Sequence, residues 1–126
     1  LALSEFKRVL NPNGFVVITC PDLQSVAQLI AQDKLLEPAY NSLAGPISPL
    51  DILYGHRPSL ASGNLYMAHH CGFTQSALVA TLKGWGFESI ASAKRGQPQF
   101  DLWAVATKSL APAERMRELA GQHFPR

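Results

Sequence analysis

The sequence predicts an α/β fold, and three observations carry that prediction. The apolar run "FVVITC" at 15–20 lies between two stretches of helical periodicity. A capped helical pattern over 74–84 leads into two β-like runs joined by a short link. Of the 126 residues, 47% are apolar and only 16% charged, a globular composition that can supply one core. The expected order is helix, buried strand, helix, insertion, helix and antiparallel strand hairpin.

Leu3, Phe6 and Leu10 fall at i, i+3 and i+7, one face of a first helix. Pro12 cannot continue it, and Asn13 and Gly14 tolerate the positive φ of a left-handed turn. The run at 15–20 is short, β-branched and without alternation, so it is expected to be covered on both faces, as in a parallel sheet. Asp22, after Pro21, is placed to cap a second helix whose apolar stripe is Leu23, Val26, Ala27 and Ile30.

Residues 34–72 are too many for an ordinary connection and read as an insertion that serves as a lid or binding loop. Inside it, "SPLDILYG" has Ser48 at the cap, Pro49 in the first helical position, Asp51 at the third and Gly55 after the end. A loop is expected through "HRPSLASGN". Thr74 then caps a helix, Phe73 and Leu78 pair as a hydrophobic staple, and "KGWG" ends it. Strands are expected at 87–93 and 100–107, and the short "KRGQPQ" between them makes an antiparallel hairpin. An amphipathic helix over 112–120 closes the chain.

The net charge is +2, and no basic block interleaves with aromatics, so nucleic acid is not the favoured partner. No apolar run approaches the roughly 20 residues of a membrane helix. Cys20 and Cys71 are the only cysteines, and Cys20 ends an apolar run; a buried reduced thiol and a cytoplasmic protein are expected. The chain begins at Leu1, inside a helical pattern, and so reads as a fragment whose upstream half is missing.

"EFKRVLNPNGFVVITCPD" resembles a segment of S-adenosylmethionine-dependent methyltransferases of the Rossmann-like class. There a helix ends in an Arg-Val-Leu-x-Pro-Gly-Gly-like motif and runs into the fifth strand. Arg8-Val9-Leu10-Asn11-Pro12-Asn13-Gly14 departs from it by Asn13 for the first glycine. "HHCGFTQSALVATLKGWGFESI" is similar to the later segment that leads into the sixth strand, after which the family inserts its last strand antiparallel beside its neighbour. The resemblance covers Leu1 to about Lys108 and implies that residues 1–109 are the C-terminal part of a methyltransferase domain, with 34–72 as a lid insertion and 110–126 as a helical tail. It implies S-adenosylmethionine as cofactor, although the family's Gly-rich loop and acidic donor-binding residues do not occur in this chain. An open α/β sheet binds ligand at its strand carboxyl ends, so Cys20, Pro21 and Asp22 are expected to line the crevice.

Methyl transfer from a sulfonium needs alignment above all, and a base only if the acceptor carries a proton that must leave. His69 and His70 are the candidate bases. Adjacent side chains oppose each other in a strand and diverge by about 100° in a helix, so at most one of them serves the site. The insertion carries Tyr54, His56 and Arg57, with Arg57 suited to a carboxylate or phosphate, and the rim carries Asn64 and Tyr66; these five are the candidate substrate-binding residues. The other reading of these groups is structural: Tyr54 packs down, His56 and Arg57 stay in water, and Asp22 is simply a helix cap.

A zinc site from His56, His69 and Cys71 matches no common ligand spacing, and no metal is expected. Cys71 lacks a positioned base for nucleophilic work. Trp85 and Trp103 are assigned to the core or a contact surface. The expected substrate is a small-molecule methyl acceptor. The rival function is a non-catalytic interaction module that dimerises through the sheet edge at 15–20.

Overall fold

The computed structural model describes residues 2–126; Leu1 lies outside the described residues. Helix α1 (Ala2–Val9) precedes strand β1 (Phe15–Pro21), and helix α2 (Leu23–Ile30) follows it. The insertion holds strands β2 (Tyr40–Ser42) and β3 (Gly45–Ile47), helices α3 (Pro49–Tyr54) and α4 (Arg57–Ala61), and a 3₁₀ turn at Leu65–Met67. Helix α5 (Gln75–Gly84), strands β4 (Ser89–Arg95) and β5 (Asp101–Thr107), and helix α6 (Ala113–His123) complete the chain. The fold is mixed α/β. No described helix is long and apolar enough to cross a membrane.

The three long strands form one sheet in the order β1-β5-β4. Hydrogen bonds at the strand ends give the directions. Lys108 N–H donates to Gly14 at 3.1 Å and Asp22 N–H donates to Phe100 at 2.8 Å, so β5 runs antiparallel to β1. Glu88 N–H donates to Thr107 at 3.0 Å, which sets β4 antiparallel to β5.

The chain divides into two units. The first contains the stretch ending at Cys20 with Gln75–Lys94 and Leu102–Arg126; the second contains Pro21–Thr74 and Arg95–Asp101. In the first, Leu78, Leu82, Leu102 and Val105 are fully buried, and Met116 and Leu119 of α6 pack with Val105 and Phe15. The segment 110–126, set apart as a tail by the sequence, thus contributes to that unit's core. In the second, Val26, Leu29, Ile47, Ile52 and Phe100 form the core, with Tyr40 stacked on Phe100 at 6.4 Å.

Several expectations are corrected. β1 is not covered on both faces: none of its residues is buried, Val17 and Thr19 are exposed and Cys20 is only half-buried. It is an edge strand whose one neighbour is antiparallel, so half of its apolar surface has nothing to bury against. Helix α1 likewise buries none of its residues fully, with Leu3 half-buried and Phe6 45% exposed. The turn after α1 is not left-handed, since neither Asn13 nor Gly14 has a positive φ. Gly14 is needed there because a Cβ would sit 2.9 Å from the Asn11 carbonyl oxygen that its own N–H bonds at 2.8 Å. β4 begins at Ser89 rather than 87, because Phe87 N–H still closes on the Leu82 carbonyl at the end of α5. The loop expected through "HRPSLASGN" contains α4, and the β2–β3 hairpin, with Tyr40 opposite Ile47, was not expected at all.

Candidate functional site

The second unit holds most of the residues that the sequence singles out, and their positions begin with the start of α3. Ser48 caps that helix and Asp51 completes a capping box: Asp51 N–H donates to Ser48 Oγ at 3.3 Å and Ser48 N–H donates to Asp51 Oδ2 at 3.0 Å. Arg57 then folds back. Its Nε–H donates to Asp51 Oδ1 at 2.8 Å, and its backbone N–H to the same oxygen at 3.1 Å. The Arg57 guanidinium, ahead of the Ser48 bonds, holds the Asp51 carboxyl well below the usual carboxylate range. Arg57, expected to clamp an acceptor, is therefore engaged by a buried carboxylate of its own insertion.

Gly55 ends α3 at φ 108°, and a Cβ there would stand 2.0 Å from the Met67 carbonyl oxygen. Only glycine combines that φ with that approach, so the end of α3 lies directly against the 3₁₀ turn. His69 fastens the same contact. Its N–H donates to the Tyr54 carbonyl at 3.2 Å, and its Nδ1 lies 2.7 Å from the Ile52 carbonyl oxygen. Both carbonyls belong to the last turn of α3, where a helix leaves acceptors unsatisfied. A carbonyl oxygen can only accept, so Nδ1 carries the proton and Nε2 of the neutral ring keeps its lone pair.

The segment after His69 is tied to α2. Gly72 lies against the Leu23 side chain, Leu23 N–H donates to the Phe73 carbonyl at 3.0 Å, and Asp22 and Phe73 form a parallel bridge. The structure thus draws Asp22, Tyr54 and His69 to one backbone framework. It treats them differently. Asp22 is 0% exposed and its carboxylate accepts from Gln24 N–H at 3.1 Å and Ser25 Oγ–H at 2.6 Å, a complete N-cap. Tyr54 is 64% exposed and Tyr66 98%.

His56 is the N-cap residue of α4, with Nδ1 2.8 Å from Ser59 Oγ. Asn64 is exposed at the start of the 3₁₀ turn, where its carbonyl accepts from Met67 N–H at 3.2 Å. His70 and Cys71 are exposed, and Pro21 is exposed at the end of β1. Among the described residues no three His, Cys, Asp or Glu side chains converge as metal ligands. Trp85 is half exposed at its surface, and Trp103 packs with Phe124 at 6.4 Å in the first unit. A hollow of about 250 Å³ in that unit, lined by Asn13, Thr107, Leu110 and Arg115 among others, contains none of the sequence-derived candidates.

Sequence reasoning missed the Arg57–Asp51 pair and the His69–Ile52 bond. The first spans the turn at Gly55 and the second spans α4 and the 3₁₀ turn, and periodicity within one helix carries no signal of either. Comparison with protein-family models, curated proteins and solved structures found no match.

Proposed function

We propose that this chain is the acceptor-side half of an S-adenosylmethionine-dependent methyltransferase domain that acts on a small molecule. The observation that carries the reading is the strand order β1-β5-β4, with the last strand between the other two and antiparallel to both. That is the closing arrangement of the family which "EFKRVLNPNGFVVITCPD" and "HHCGFTQSALVATLKGWGFESI" resemble. The low net charge of +2 favours a small acceptor over a nucleic acid.

Of the three residues expected to line the crevice, Cys20, Pro21 and Asp22, the last is not open to a ligand. Asp22 is sealed in its cap, and Pro21 has no N–H to offer. The chain's own residues are assigned to the acceptor. Tyr54 and Tyr66 supply exposed aromatic surface, and His69 supplies a fixed imidazole that can take a proton. Holding an acceptor in line is worth as much as ~7–11 kcal/mol in such displacements.

Calorimetric titration with S-adenosylmethionine tests the reading. The 126-residue chain alone is expected not to bind it tightly, whereas the full-length protein carrying this chain is expected to bind it. Micromolar binding to the chain alone overturns this division of labour; no binding by the full-length protein overturns the methyltransferase reading. The second reading, an interaction module, is favoured by one feature, the open edge and exposed Val17 of β1.

A further inference from the structure

We infer that the rim around His69 is a binding site for an ionisable hydroxyl on an aromatic ring, a phenol, with Nε2 of His69 as the atom that takes its hydrogen bond and, on ionisation, its proton. As a statement about the methyl acceptor it rests on the reading above; as a statement about binding it stands on this chain alone.

Three observations carry it. The first is the fixed tautomer: the Ile52 carbonyl 2.7 Å from Nδ1 commits the proton to that nitrogen and leaves Nε2 an acceptor. The second is rigidity. His69 is held through its ring and its N–H to two carbonyls of one helical turn, and Gly55 against Met67 closes the gap between them. His70, the exposed next residue, forms no such bond among the described residues. The third is the company: the Tyr54 carbonyl accepts from His69 N–H, Tyr66 lies three residues before His69 in the chain, and both aromatic side chains are mostly exposed.

The chemistry selects the ligand class. A lone pair on Nε2 calls for a donor, and of the common hydroxyls only a phenol, with a pKa of about 10, ionises near enough to neutral pH for an imidazole to assist it. An aliphatic alcohol ionises far too weakly. A phenol also presents a π-face, which the exposed tyrosines can meet in an offset or edge-on arrangement. When it ionises, the O–H bond breaks, its electron pair stays on oxygen, and the proton passes to Nε2 to give an imidazolium balanced by the phenolate.

The test uses the 126-residue chain, ¹⁵N-labelled, with 4-nitrophenol and phenol as probes and cyclohexanol as control. Long-range ¹H–¹⁵N correlation spectra are expected to show His69 protonated at Nδ1, and both phenols to shift its Nε2 resonance saturably while His70 stays still. His69→Asn keeps an amide donor for the Ile52 carbonyl but has no second nitrogen; it is expected to fold as the parent does and to lose the saturable response. The inference is overturned if His69 is protonated at Nε2, if the shift appears at His70 or nowhere, if His69→Asn binds unchanged, or if cyclohexanol produces the same shift. None of these outcomes depends on S-adenosylmethionine, so failure here is separate from failure of the methyltransferase reading.

Discussion

Arg57 grips Asp51 across the turn at Gly55: its Nε–H donates to Oδ1 at 2.8 Å and its terminal Nη2–H to Oδ2 at 3.3 Å. The carboxylate is 4% exposed and the guanidinium 49%, so a buried charge is compensated by one that stays half in water. That arrangement avoids the full desolvation of two ions, the usual reason a buried pair contributes little.

The pair makes the second unit sensitive to acid. Asp51 has a folded pKa below its unfolded value, so its contribution to stability is present at neutral pH. It begins to be lost as pH falls below about 4 and is gone below the folded pKa. Asp51→Ala removes the capping box as well and is expected to cost about 2 kcal/mol at pH 7 in urea denaturation. Arg57→Ala keeps the box but raises the Asp51 pKa, and is expected to flatten the acid slope.

Gly55 and Gly63 both have positive φ, 108° and 90°, but only Gly55 meets a neighbour, the Met67 carbonyl oxygen at 2.0 Å from an added Cβ. Gly63→Ala is therefore expected to cost about 1–2 kcal/mol, the backbone term alone. Gly55→Ala is expected to cost about 3 kcal/mol or more, and to release His69 from Ile52. The urea midpoints of the two variants, with the His69 tautomer as a local probe, check this.

Asp22 is read as a cap and not as a ligand-binding carboxylate, because Gln24 N–H and Ser25 Oγ–H occupy it. Asp22→Ala is expected to lower stability by about 1–2 kcal/mol. Asp22→Asn, which can still accept from Gln24, is expected to lose less. Urea denaturation of the two variants against the parent checks this.

Val17 stands 38% exposed on β1, at an edge of the sheet. Such an edge recruits further strands unless a charge blocks it. The 126-residue chain is expected to associate with rising concentration in sedimentation velocity, and Val17→Lys to suppress this. Monomeric behaviour of the parent at all concentrations removes the interaction-module reading.

Local signals in the sequence were sufficient wherever one short stretch contains both the cause and its effect. Asp22 accepts from the N–H two residues on, Ser48, Pro49 and Asp51 start α3, and Gly55 ends it, all within hydrogen-bond reach of near neighbours. The hairpin of β4 and β5 was legible because a short link leaves the chain no other way to pair. The small β2–β3 hairpin was not, since three-residue strands carry too little pattern to distinguish from loop.

The sequence by itself determined the order of α1, β1, α2, α3, α5, β4, β5 and α6 and the caps of α2 and α3, because propensity and capping act over three or four residues. It also limited the paired histidines to at most one with a role at the site, through the geometry of adjacent side chains. Which one is fixed was decided only by tertiary structure: the carbonyl that orients His69 lies seventeen residues away, at Ile52. The same holds for Arg57, which the sequence offered to a ligand and the fold gave to Asp51, and for β1, whose apolar run looked buried and lies at an edge. Partner choice and burial depend on what stands opposite in space, and an apolar or charged side chain is compatible with either outcome until a neighbour is placed against it.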